Sequence, residues 1–106
     1  MRALFYTRIA EKDWQKKEVQ VNDAKDIKSL FEEKRLTQFD FDGINRLVGY
    51  SVENLTNEGV TAKITDTKGD IQFMCSPLIV VEAKNAELID LTSDAEKLFE
   101  EKVQLL

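Results

Sequence analysis

Histidine is missing from all 106 residues, and cysteine and proline occur once each. Without histidine the chain lacks the commonest general base at neutral pH and the commonest nitrogen ligand for zinc, copper or iron. The single cysteine, Cys75, excludes an internal disulfide and gives no sign of an oxidising compartment. Glycine is scarce too, at four residues, and no phosphate-cradling glycine loop, paired metal-ligand spacing or nucleophile elbow occurs. Long apolar runs are also lacking. Even a run as long as Leu78 to Val81 falls far short of the roughly 20 residues of a membrane-spanning helix. The opening "MRALFYTRIAEKDW" turns charged too early for a secretory signal. These absences predict a cytoplasmic protein with no cofactor, no metal, no membrane partner and no catalytic residues.

What remains has the balance of a folded chain, with 42% hydrophobic and 33% charged residues. A chain of this length buries about two thirds of its unfolded surface, so residues 1–106 are expected to form one compact domain. The net charge is −5 and is unevenly spread: residues 1–53 carry ten acids and ten bases, residues 54–106 ten acids and five bases.

"RALFYTRI" is apolar on both alternating faces, as in a strand covered on both sides, and "WQKKEVQV" reads as its hairpin partner. Asn22 or Asp23 then caps a helix to about residue 36, with Ala24, Ile27, Leu30 and Phe31 on one face. "SVENL", "VTAKITD" and "DIQFMC", separated by short glycine-containing turns, predict a three-stranded antiparallel meander. In it Val60, Ala62, Ile64, Ile71, Phe73 and Cys75 point inward, which makes Cys75 a buried core cysteine. "LIVVEA" reads as a buried strand and "ELIDL" as an edge strand. Ser93 and Glu96 form a capping box for a last helix over 93–106, with Ala95, Leu98, Phe99, Val103 and Leu106 on its apolar stripe. The expected fold is α+β: a mostly antiparallel sheet of five to six strands, two helices (23–36 and 93–106) on one face, and a short helix near 42–49. The repeated "LFEEK" at 30–34 and 98–102 reflects helix preference rather than duplication.

"FDFDGINRLVGY" over residues 39–50 is the least ordinary stretch. Asp40 and Asp42 spell D-x-D-G, but position 12 of a calcium loop counted from Asp40 is Ser51, so the loop lacks its bidentate glutamate. Asp42 is read instead as the cap of the short helix, with Ile44, Leu47 and Val48 inward and Gly49 ending it. Phe39 and Phe41, with Asp40 at their rim, form a candidate partner-binding surface, joined by the acidic outer face of the last helix at Glu96, Glu100 and Glu101. Trp14 among Lys12, Lys16 and Lys17 is the one aromatic and basic combination, a candidate nucleic-acid contact. The overall charge of −5 opposes that reading.

The composition and the missing catalytic groups favour a small, acidic, non-enzymatic protein that binds another macromolecule, above all a protein, as an accessory or inhibitory factor. One form of this is a DNA mimic of the phage or mobile-element kind. A homodimer is compatible with it. The alternative is a nucleic-acid-binding module that uses the basic hairpin.

Overall fold

A computed structural model describes residues 1–10, 13–31, 36–42, 47–52, 60–66, 68–85 and 87–105, with only the backbone at 39–42, 47, 52, 60, 61 and 105. The described chain is α+β, with nine strands and two helices. Strand β1 (Arg2–Ala10) pairs with β2 (Asp13–Gln20) as the predicted hairpin, and α1 (Ala24–Leu30) follows. Then come β3 (Leu36–Asp42), β4 (Leu47–Val52), β5 (Val60–Thr65), β6 (Ile71–Cys75), β7 (Leu78–Lys84) and β8 (Glu87–Ile89). Helix α2 (Ser93–Lys102) and β9 (Val103–Leu105) complete the described chain.

The strands form two sheets. The larger runs β2-β1-β7-β4-β3, with β8 added to β7, and the smaller runs β6-β5-β9. Every strand pairing among the described residues is antiparallel. Strand β7 lies in the middle of the larger sheet, and its Leu78, Ile79, Val80 and Val81 are at most 2% exposed. Adjacent side chains of a strand point to opposite faces, so four consecutive buried residues require cover on both sides. Each such side chain contributes about 1.5–3 kcal/mol of burial.

The two covers differ. On one face Leu4, Tyr6, Leu78 and Val80 pack with Ala62, Ile64 and Met74 of the small sheet and with Ala95 and Phe99 of α2. On the other face Ala3, Val48, Ile79 and Val81 pack with Ile27 and Phe31 of the α1 segment. Ring pairs link the layers, Tyr6 with Phe99 at 5.5 Å and Phe5 with Phe31 at 5.8 Å. The helices therefore contribute to opposite cores, not to one face as predicted, because β1 and β7 are apolar on both sides.

Other expectations change as well. Asp23 caps α1, accepting from the N–H groups of Lys25 and Asp26, but the helix ends at Leu30 and Leu36 already lies in β3. The predicted helix near 42–49 is not found in the described part: Asp42 ends β3, and Leu47, Val48 and Gly49 belong to β4. Residues 43–46 lie outside the described residues. The meander is divided between the sheets, because β4 pairs with β3 and β7 and leaves β5 to pair with β6 and β9. The last helix stops at Lys102, and Val103–Leu105 turns extended to pair with β5. Pairing there gives the backbone of β5 a second neighbour, which continuing the helix would forgo. The cap of α2 is Thr92 rather than Ser93, since the Thr92 hydroxyl accepts from the Ala95 N–H at 3.2 Å.

The turn between β5 and β6 has the expected chemistry. Gly69 adopts φ +90°, a conformation open to glycine and strained for other residues. The buried Asp66 carboxylate accepts from the N–H groups of Lys68 and Asp70, both at 2.9 Å.

Candidate functional site

The sequence-predicted residues do not gather in one place. Phe39, Asp40 and Phe41 lie within β3, with Phe39 opposite Gly49 and Asp40 opposite Val48; their side chains are outside the described part. Lys12 is likewise outside the described residues. Glu96 and Glu100 do not form a bare acidic face. Arg2 donates to Glu96 at 2.5 Å and also to Glu18, while Lys16 donates to Glu100 at 2.8 Å and to Glu96 at 3.4 Å. The result is a clamp of alternating charge that ties the basic hairpin to α2.

Electrostatics follow from that geometry. The hydrogen bond from Arg2, supported by Lys16, holds the Glu96 carboxyl below its ordinary range against the opposing effect of desolvation. Glu96 and Glu18 raise Arg2, and Glu100 raises Lys16, each mainly through a hydrogen bond. Burial pushes the Tyr6 hydroxyl up, with Glu100 adding to it. Glu101 and Lys17 are exposed. Trp14 packs against the core of Leu4, Tyr6 and Phe99 rather than standing free as a stacking platform.

A cleft of about 510 Å³ opens beside α1, lined by residues that include Asn22, Asp23, Ile27, Tyr50, Glu87 and Leu88. A smaller hollow of about 170 Å³ adjoins it through Ala24, Ile27 and Tyr50 and reaches Leu36 and Gln38. Asp23 there is engaged as the helix cap, and both Gln38 and Tyr50 have partners. Among the described residues no three potential metal ligands converge, and no helix is long and apolar enough to cross a membrane.

The outer face of the small sheet is different in kind. Ile71 is 51% exposed and Phe73 is 60% exposed, whereas Met74 between β6 and the core is 2% exposed. Thr65 stands opposite Ile71, and Lys63 opposite Phe73. The predicted inward direction of Ile71, Phe73 and Cys75 is therefore reversed. Ala62 and Ile64 keep their inward places, and the register across β5 and β6 sets Met74 and Gln72 on their face. Cys75 is accordingly half-buried, not a core residue. The apolar character of "IQFMC" on both phases hid the choice; a bulge between Val60 and Ala62 shifts the partner strand as well.

The chain matches no family model, no curated protein and no solved structure with which it was compared.

Proposed function

We propose that this is a cytoplasmic, non-enzymatic protein that acts by binding another protein chain, as an accessory or inhibitory factor. The observation that carries the reading is the exposed pair Ile71 and Phe73, two large apolar side chains on one face of a regular strand. Apolar surface left in water offers no stability to the fold, whereas a partner that covers it gains about 25 cal/mol per Å². A rigid aromatic on a sheet is also a low-entropy anchor, of the kind that carries a large share of interface energy. A DNA-mimic form is less supported, because Arg2 and Lys16 neutralise the glutamates of α2 that would imitate phosphates.

The test is affinity capture from the source cell with wild-type bait and Phe73→Ser bait, followed by mass spectrometry. A protein retained by the first and lost from the second is expected. If every captured protein is retained equally by both, the outer face of β6 is not a binding surface and the reading falls.

A further inference from the structure

We infer that the edge beside this face pairs with a second copy of the same chain, β6 against β6 in antiparallel register centred on Phe73, so that the exposed side chains of the two copies pack side by side. The inference rests on the proposed binding role of the face and names its partner. Strand β6 is an edge: among the described residues it pairs only with β5. The direction of its backbone groups follows from one hydrogen bond. The Asp66 N–H donates to the Asp70 carbonyl at 2.9 Å, so Asp70 directs its backbone toward the β5 side. Backbone groups alternate along a strand, which turns those of Gln72 and Met74 toward β5 and those of Ile71, Phe73 and Cys75 toward the edge that no described strand pairs with.

The three residues with outward backbone groups are the same three on the outer face. A two-fold axis at Phe73 sets Phe73 against its own copy and Ile71 against Cys75 in both directions. That register exchanges about six backbone hydrogen bonds and stacks apolar side chains along one continuous face. It also sets Asp70 against Ser76, so the two aspartates do not meet.

Charge favours this meeting place over the β2 edge. Two copies of net charge −5 repel, and residues 71–81 form the longest uncharged stretch of the chain. Edge strand β2 carries Asp13, Lys16, Lys17 and Glu18, the charged dressing that keeps an edge from pairing. Strand β6 carries none. A five-residue edge buries less than the roughly 1,200 Å² of a standard stable interface, so the dimer is weak and depends on concentration.

The experiment is sedimentation equilibrium of the 12.2 kDa chain from about 10 μM to about 1 mM, the range in which so small an interface associates. The wild type is expected to rise toward twice its mass. Phe73→Glu keeps a favourable neighbour in Lys63 within the monomer but opposes two carboxylates in the dimer. It should weaken association by about tenfold or more. Phe73→Lys should do the same, and an equimolar mixture of the two variants should recover association, since glutamate then meets lysine at the axis. Circular dichroism of each variant checks that it is folded. A wild type that stays monomeric throughout overturns the inference, as does Phe73→Glu that associates like wild type or a mixture that fails to recover. A monomer that still captures a different protein through Phe73 overturns self-pairing alone and leaves the proposed function standing.

Discussion

Glu82, buried in β7, accepts hydrogen bonds from both the backbone N–H and the hydroxyl of Thr92, at 3.0 and 3.1 Å. Thr92 in turn caps α2, so a carboxylate in the central sheet fixes where the helix begins. In a local capping box that carboxylate comes from the third residue of the helix. Here it comes from ten residues upstream, and Glu96 is free to bind Arg2.

From this relationship, Glu82→Val should cost about 1–3 kcal/mol in urea unfolding, because it removes the charged acceptor of two hydrogen bonds that hold Thr92 at the head of α2. Thr92→Val should cost about 1 kcal/mol through loss of the cap. The double variant should be less destabilised than the sum of the singles, since both remove one network. Strict additivity would show that the two residues act separately.

The hairpin, the doubly covered first strand, the glycine turn and the core of α2 were all legible, because each rests on periodicity or turn chemistry within a few residues. "FDFD" also carried a strand signal, the alternation of apolar and polar residues, which the glycine after it masked as a helix entry. The Arg2–Glu96 pair was not legible, for its members lie 94 residues apart and nothing local joins them. Nor was the facing of β6: Ile71 and Phe73 compete with Met74 for the inside, and only the register with β5 decides. The exposed face that carries the functional proposal was invisible for that reason.

Acid should loosen the clamp between the hairpin and α2. The folded protein holds Glu96 below its ordinary value of 4.5, so its ionised form is the stabilising one. The contribution is fully present above that ordinary value and is lost as pH falls below it, through the lower folded value. Thermal melts from pH 7 to pH 3 should show wild type more stable than Glu96→Gln at neutral pH, with the gap closing on acidification. A gap that stays constant would mean that the charge of Glu96 is immaterial.

Gly69→Ala tests the turn between β5 and β6. Apart from its chain neighbours, no described atom lies within 4 Å of the position a Cβ would take, so the penalty is the φ of +90°. That strain is about 1–2 kcal/mol for alanine and less for asparagine. Urea unfolding should rank glycine above asparagine above alanine. Equal stability of all three would show that the turn relaxes to another conformation.

The basic hairpin offers the last test, against nucleic acid. Lys16, though exposed, is engaged by Glu96 and Glu100, and Trp14 packs against the core, which leaves Lys17 as the uncommitted base of the described group. Lys16→Ala should therefore lower stability slightly, by less than about 1 kcal/mol as for other solvent-accessible pairs, while Lys17→Ala leaves it unchanged. Neither arrangement supplies the row of free cations and exposed rings that single strands require. Fluorescence anisotropy with a labelled single-stranded oligonucleotide should show weak binding at low salt that vanishes near physiological salt, because few phosphates are neutralised. Tight binding at physiological salt, abolished by Lys16→Glu with Lys17→Glu in a variant that remains folded, would replace the protein-binding reading with a nucleic-acid one.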